Sequence, residues 1–162
     1  MKVFVTRTLP GKALDRLRER GLEVEVHRGL FLPKAELLKR VEGAVGLIPT
    51  VEDRIDAEVM DRAKGLKVIA CYSVGADHVD LEADRERGIR VTDSPGDPTE
   101  ATADLTLAHL RAVARRVVEG AAYARDGLWR AWHPELLLGL DLQGLTLGLV
   151  GMGRIGQAVA KR

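Results

Sequence analysis

The sequence predicts an α/β fold in which helices cover both faces of a parallel sheet. Short apolar runs of strand length alternate with segments of helical period, an order typical of βαβ units. Four of the helical segments end in charged residues followed by a glycine, which is the residue that most readily closes a helix. A glycine-rich turn then follows an apolar run near the end of the chain, as in nucleotide-binding α/β domains.

The first 96 residues carry the alternation and are predicted to form one lobe. The predicted strands cover residues 3–6, 23–26, 45–48, 68–73 and 89–92. The predicted helices between them cover residues 12–20, 34–41, 55–63 and 81–87. Since each strand returns through a helix of about ten residues, the strands are expected to pair in parallel.

The pattern changes at Asp97, where three further segments are predicted. Asp97 offers a capping oxygen, Pro98 suits the first helical position and Glu100 supplies a first-turn carboxylate, which predicts one long helix over residues 97–126. Residues 127–144 form an apolar connector that is poor in charge. Residues 145–162 contain an apolar strand, residues 145–150, and the glycine-rich turn.

Composition excludes several classes of function. The 162 residues contain 25 Lys and Arg against 24 Asp and Glu, so the formal charge of +1 offers no electrostatic footprint for nucleic acid or for an anionic membrane. Cys71 is the only cysteine and lies in an apolar run, which indicates a buried thiol and a reducing compartment. No signal or membrane-spanning pattern occurs, so a cytoplasmic location is expected. The absence of asparagine and the 30% of charged residues favour a thermophilic source.

The turn near the end of the chain has the spacing of a dinucleotide-binding fingerprint. Gly151, Gly153 and Gly156 follow the apolar run in the pattern GxGxxG. The first glycine makes the tight turn, the second lets the backbone approach a pyrophosphate, and the third lets helix pack on strand. The acidic residue that holds the ribose is expected roughly 20 positions later, past Arg162, so the cofactor-binding unit is expected to begin here and not to be completed.

A second glycine-containing loop, Ser73-Val74-Gly75-Ala76, follows the fourth predicted strand. Open α/β sheets bind their ligands at this end of the strands, and successive backbone N–H groups of a turn can converge on an anion. Nearby Asp77 and Asp80 are interpreted as turn and helix caps rather than catalytic groups. Surface or packing roles are expected for all four histidines, and no metal site is predicted; the histidines are His27, His78, His109 and His133.

Together, three motifs resemble the D-isomer-specific 2-hydroxyacid dehydrogenases, most nearly their glyoxylate/hydroxypyruvate reductase branch. The motifs are residues 73–81 (SVGADHVDL), residues 99–104 (TEATAD) and residues 151–160 (GMGRIGQAVA), and they occur in the family's order. Trp132-His133-Pro134 adds to the match. The resemblance extends from the first strand to the last residue and covers the N-terminal half of such an enzyme.

The resemblance implies a flavodoxin-like, doubly wound substrate lobe followed by the first strand and turn of a Rossmann domain. It implies that backbone N–H groups of Val74 and Gly75, within the loop Ser73–Ala76, bind the carboxylate of a 2-oxo acid. It places Thr102 near the nicotinamide of NAD or NADP, and the pyrophosphate against Gly151, Met152, Gly153, Arg154, Ile155 and Gly156. The family's catalytic arginine, glutamate and histidine correspond to none of the residues present, so the chain alone is expected to show no turnover and weak or no cofactor binding.

Several residues depart from the family pattern and leave a second hypothesis open. Ala76 stands where the family carries a bulkier residue, and Pro98, His109 and Arg111 stand where it carries apolar ones, while Asp97 replaces a less charged residue. The chain is therefore either part of an NAD(P)-dependent 2-hydroxyacid dehydrogenase or a non-catalytic flavodoxin-like module, natural or engineered, for folding or self-association. A homodimer through the long helix or the terminal strand is compatible with both hypotheses.

Overall fold

The computed structural model describes residues 1–96 and 98–162 and contains the five strands that the sequence predicts. They are β1 (Lys2–Val5), β2 (Glu23–Val26), β3 (Ala44–Ile48), β4 (Val68–Ala70) and β5 (Arg90–Thr92). All neighbouring pairs are parallel, and the spatial order is β2-β1-β3-β4-β5. This is the flavodoxin-like order, which confirms the predicted fold class.

Four helices connect these strands: α1 (Ala13–Glu19), α2 (Lys34–Arg40), α3 (Ala57–Arg62) and α4 (Leu81–Glu86). Side chains alternate between the faces of a strand, so Val3 and Val5 of β1 contact Leu14 of α1 on one face, while Phe4 joins the main core on the other. That main core includes Leu37 of α2 and residues of α3 and α4. Helices therefore cover both faces, as the alternation predicts.

The chain divides into two compact units, Met1–Pro95 and Gly96–Arg162. The second unit contains α5 (Thr99–Ala114), α6 (Val117–Arg125) and α7 (Arg154–Lys161). The prediction of one long helix over residues 97–126 is wrong, because the helix breaks at Arg116, whose φ is 52°. The proposed cap Asp97 lies outside the described residues.

The break is stabilised by the connector that follows α6. The backbone N–H of Leu140 donates to the carbonyl oxygen of Ala114, at 2.7 Å, and so satisfies an acceptor that the helix leaves free at its end. A Cβ at Gly139 would lie closer than 3.0 Å to that same oxygen. The connector therefore approaches the end of α5 at a distance that only glycine permits.

The apolar run at residues 145–150 does not form the predicted strand. It has no ladder partner among the described residues, and a strand needs one to satisfy its backbone groups. Only Leu149 of this run packs against a buried cluster, which consists of Ala103, Ala158 and Val159. The turn after residue 150 is nevertheless formed.

Much of the second unit's apolar surface is exposed. Val113, Val118 and Trp132 are each more than 70% exposed, and His109 and Arg111 are also exposed. The His109 and Arg111 side chains therefore lie in water, where they carry no desolvation cost. Within the described ranges, none of the helices combines the length and the apolar composition needed to cross a bilayer.

Asp56 caps the N-terminus of α3 and gives a stability prediction. Its carboxylate accepts a hydrogen bond from the Val59 N–H and pairs with the Lys34 ammonium at 2.5 Å. Partial burial opposes the charged form, but the hydrogen bonds from Lys34 and Val59 outweigh it, so the pKa of the Asp56 carboxyl is lowered from its ordinary value.

Replacing Asp56 by alanine should lower the free energy of unfolding by about 1 kcal/mol at neutral pH. Since the folded-state pKa is lowered, this contribution is complete above the unfolded-state pKa of about 4 and is lost as the pH falls through the folded value. Denaturant unfolding at several pH values measures the difference. Replacing the exposed Glu52 by alanine is the control, and an equal loss for both variants would contradict the prediction.

Candidate functional site

The carboxyl ends of the parallel strands are held together by backbone hydrogen bonds. The N–H of Tyr72, after β4, donates to the carbonyl of Pro49, after β3, at 2.9 Å. On the other side of β4, the Ser94 N–H donates to the Ser73 carbonyl at 2.9 Å. Because these bonds continue past the ends of the strands, the loops after β3, β4 and β5 lie side by side at one edge of the sheet, where such folds bind ligands.

The predicted binding residues Ser73, Val74, Gly75 and Ala76 form a turn at this edge. Gly75 has a φ of 80°, a conformation that disfavours any residue with a Cβ, and the Ser73 hydroxyl donates to its carbonyl at 2.8 Å. The Val74 side chain is 53% exposed, and its backbone N–H has no acceptor among the residues that the structure describes. The half-buried Ala76 packs against the main core and anchors the end of the turn.

The Gly75 N–H donates to a carboxylate oxygen, Oδ2 of Asp93, at 2.8 Å. Asp93 is not among the residues predicted from the sequence, although it comes directly after β5, the strand that neighbours β4 in the sheet. Carboxyl ends of neighbouring parallel strands lie at the same edge, so this position could have been identified as a candidate. The loop thus already binds a carboxylate, which is the chemical group that the resemblance assigns to it.

A buried cluster of hydrogen bonds around the Asp53 carboxylate fixes the loop after β3. Asp53 is 4% exposed, and its Oδ2 accepts hydrogen bonds from the Thr6 hydroxyl at 2.5 Å, the Thr50 N–H at 2.9 Å and the Thr50 hydroxyl at 3.0 Å. The Arg7 guanidinium lies 3.5 Å from the other carboxylate oxygen. The same loop supplies the Pro49 carbonyl to Tyr72, so Asp53 supports the strand end beside the 73–76 loop.

Asp80 caps α4 by accepting from the N–H groups of Glu82 and Ala83, as predicted. Asp77 is exposed, and within the described residues its carboxylate accepts no capping hydrogen bond, so the capping role predicted for it is not seen. His78 is partly buried, and its Nε2 has no hydrogen-bond partner among the described residues.

Cys71 is buried at the end of β4. Burial, reinforced by the negative charge of Asp93, raises the pKa of the Cys71 thiol above its ordinary value. The thiol therefore stays protonated at neutral pH and is not a nucleophile. In the part of the chain that the structure describes, no three His, Cys, Asp or Glu side chains converge as metal ligands.

In the second unit, the glycine turn of residues 151–156 is formed at the N-terminus of α7. Gly151 has a φ of 99°, and a Cβ at Gly156 would lie closer than 3.0 Å to the Gly151 carbonyl oxygen. A Cβ at Gly153 would meet open space. Met152, Arg154 and Ile155 are exposed around the turn.

This geometry fits a dinucleotide. The first and third glycines are required by the backbone itself, while the space at the second is free for a pyrophosphate. The first-turn N–H groups of α7 have no intrahelical acceptors and form, with the helix dipole, a site for negative charge. The residues present therefore suit the phosphates of NAD or NADP. The apolar run before the turn, residues 145–150, is not paired with a strand of the described residues.

Thr102 lies on the part of α5 that packs against α7. Neighbouring Ala103 is fully buried against Ala158 and Val159 of α7, and the Arg162 side chain bonds to Glu100 and Asp104 on either side of Thr102. The helix that carries Thr102 is thus fixed to the helix that follows the glycine turn. The placement of Thr102 near a nicotinamide remains a prediction.

Comparisons with known proteins agree with these features. The family model of the D-isomer specific 2-hydroxyacid dehydrogenase catalytic domain matches residues 3–152. The glyoxylate reductase of Thermococcus litoralis is 46% identical over 166 residues, which cover 99% of this chain and 50% of the relative. That of Korarchaeum cryptofilum is 46% identical over 163 residues, 99% of this chain and 49% of the relative.

Solved structures give the same result. A protein of Thermus thermophilus is 93% identical, with a TM-score of 0.97 over 99% of this chain and 52% of its own. Escherichia coli D-lactate dehydrogenase in its apo form is 29% identical, with a TM-score of 0.79 over 99% of this chain and 51% of its own. The chain thus spans about half the length of the curated relatives and structures it matches. Because the family model matches most of its residues and the motifs lie where the fold requires them, the chain belongs to the D-isomer specific 2-hydroxyacid dehydrogenases.

Proposed function

We propose that this chain supplies the substrate-carboxylate loop and the start of the NAD(P) site of a glyoxylate reductase-like 2-hydroxyacid dehydrogenase. The observation that carries the proposal is the hydrogen bond from the Gly75 N–H to the Asp93 carboxylate. A backbone turn at the ligand-binding edge of the sheet that already binds a carboxylate is suited to the carboxylate of a small 2-oxo acid.

The residues of this chain would bind and orient the substrate and the cofactor. The Val74 N–H points to no acceptor among the described residues and, together with the Gly75 N–H, would hold the substrate carboxylate. The Ser73 hydroxyl fixes the turn by its bond to the Gly75 carbonyl. The glycine turn of residues 151–156 would hold the dinucleotide pyrophosphate, and Thr102 would lie near the nicotinamide. When bound, NADH or NADPH supplies the hydride that reduces a 2-oxo acid.

Turnover requires groups that none of the described residues supplies. The family resemblance assigns the proton donor, the carboxylate that tunes it and the guanidinium that binds the 2-oxo oxygen to positions that match none of the 162 residues. We therefore propose that the 162 residues alone are inactive and bind the cofactor weakly. The same polypeptide becomes competent when the remaining half of such an enzyme is present.

The exposed apolar surface of the second unit is part of the proposal. Val113, Val117 and Val118 are more than half exposed on α5 and α6, and Trp129 and Trp132 are exposed on the connector. Burial of such side chains is worth about 25 cal/mol per Å². We propose that the remaining half, or a second copy of the chain, covers this surface in the cytoplasm, and that no nucleic acid or membrane is bound.

Reconstitution tests the proposal. The chain is mixed with a polypeptide equivalent to the part of the Thermus thermophilus protein that it does not cover, and glyoxylate-dependent oxidation of NADH and NADPH is followed by absorbance. Sedimentation of the mixture establishes independently whether the two polypeptides associate. Restored turnover supports the proposal, whereas associated halves that never reduce glyoxylate contradict it and favour the non-catalytic flavodoxin-like module.

A matched pair of glycine variants makes the test specific to the loop. Gly75 and Gly11 have φ values of 80° and 81°, and neither has an atom within 4 Å of an added Cβ. Alanine therefore introduces the same backbone strain at both positions. Gly75→Ala should lower the reconstituted kcat/KM for glyoxylate about tenfold or more, because the loop must rearrange its N–H groups, and Gly11→Ala should leave it within about twofold.

A further inference from the structure

We infer that Asp93 is a tethered competitor of the substrate, whose carboxylate occupies the Gly75 N–H until a 2-oxo acid displaces it. The inference rests on the proposed function, because it concerns the same loop. It adds a residue that sets substrate affinity, at a position that the motifs do not include.

The Asp93 carboxylate and a substrate carboxylate cannot both accept the hydrogen bond of the Gly75 N–H. A backbone N–H has one hydrogen to donate, and Asp93 Oδ2 accepts it at 2.8 Å. A substrate carboxylate that approached the same N–H would also meet the negative charge of Asp93 within a few ångströms. The loop therefore binds one of the two carboxylates at a time.

The tether gives Asp93 an advantage that a free anion lacks. Asp93 follows β5, and the Ser94 N–H holds the next residue to the Ser73 carbonyl at 2.9 Å. The carboxylate is thus held beside the loop at a high effective concentration. A free 2-oxo acid must compete against that concentration, which weakens its apparent affinity.

Once displaced, the Asp93 side chain can rotate into solvent. Asp93 is exposed, and among the described residues no Lys, Arg or His forms an ion pair with it. Among residues 1–96 and 98–162, its carboxylate accepts one hydrogen bond, from the Gly75 N–H. Rotation of the side chain into water therefore breaks no other hydrogen bond or ion pair to the described residues, and the carboxylate can yield to a ligand that also binds the Val74 N–H.

Asp93→Asn and Asp77→Asn separate this competition from a general effect of charge. Asp77 lies two residues after Gly75, is exposed and is not the acceptor of the Gly75 N–H, so its replacement removes an equal charge close to the same turn. Asp93→Ala removes the acceptor altogether and serves as the second variant. All of these positions are exposed, so the fold should persist.

The experiment is a titration of the 162-residue chain with oxamate, an unreactive analogue of a 2-oxo acid. Binding is monitored by nuclear magnetic resonance through the amide resonances of Val74 and Gly75. Asp93→Asn and Asp93→Ala should lower the Kd for oxamate about tenfold, because a charge-assisted competitor is lost. Asp77→Asn should change it by less than about twofold. In addition, the Gly75 amide resonance should shift in the ligand-free Asp93 variants.

Equal affinity in the wild-type chain and in both Asp93 variants would overturn the inference and leave the proposed function standing. An Asp77→Asn effect as large as that of Asp93→Asn would overturn it as well, because the effect would then be one of net charge. If oxamate moved neither resonance in any variant, the loop would bind no carboxylate ligand, and the proposed function would fail together with the inference.

Discussion

Replacing Asp53 by alanine should lower the free energy of unfolding of the first unit by about 3 kcal/mol. The substitution removes the shared acceptor of the Thr6 hydroxyl, the Thr50 N–H and the Thr50 hydroxyl, in a site where Asp53 is 4% exposed. It also leaves the Arg7 guanidinium, which is mostly buried, without its partner. Buried donors that lose their acceptor carry the full cost of desolvation.

Guanidinium unfolding followed by far-ultraviolet circular dichroism measures this loss. Both tryptophans, Trp129 and Trp132, lie in the second unit, so their fluorescence reports that unit separately. The control is Asp15→Ala, which removes an exposed carboxylate that pairs with Arg18 and should cost less than about 0.5 kcal/mol. Equal losses for the Asp53 and Asp15 variants would show that the buried cluster does not stabilise the sheet edge.

Replacing Gly156 by alanine should undock α7 in the second unit. A Cβ at this position would lie closer than 3.0 Å to the Gly151 carbonyl oxygen, a backbone atom that cannot rotate away. Overpacking of this kind costs about 1–3 kcal/mol. α7 docks through the apolar cluster of Ala103, Ala158 and Val159 and through the bonds from Arg162 to Glu100 and Asp104. The added Cβ therefore strains the turn that leads into α7 and weakens the docking of this helix.

Hydrogen exchange of the Ala158 and Val159 amides measures the docking of α7. We expect these amides to exchange at least about tenfold faster in Gly156→Ala than in the wild-type chain, because the local stability falls by about 1.4 kcal/mol or more. The control is Gly148→Ala, since Gly148 lies in the same segment, has an unstrained φ and leaves open space for a Cβ. Unchanged exchange in Gly156→Ala would mean that the glycine turn is not packed as the structure shows it.

The fold of the first unit could be predicted from the sequence because local signals and tertiary structure agree there. The alternation of residues 2–92 places every strand and helix, and the observed strand bounds differ from the predicted ones by three residues at most. The parallel order with β1 between β2 and β3 follows the usual doubly wound arrangement. Asp80 was also identified correctly as a helix cap, because its carboxylate precedes a helical run.

The sequence could not reveal contacts made between distant segments. The break at Arg116 carries neither glycine nor proline, and the Leu140 N–H that satisfies the freed carbonyl comes from far along the chain. The position of Asp93 after β5 is visible in the sequence, but its bond to Gly75 is not, since that bond joins the loops that follow two different strands. The run before Gly151 has the composition of a strand, but composition alone does not supply a neighbour to pair with.

A crystal structure of this chain grown with oxamate tests the central claim most directly. We expect the oxamate carboxylate about 3 Å from the backbone nitrogens of Val74 and Gly75, with the Asp93 side chain turned away from Gly75 into solvent. Oxamate bound at another place, with the Asp93 carboxylate still on the Gly75 N–H, would contradict the claim that the 73–76 loop is the site of the substrate carboxylate.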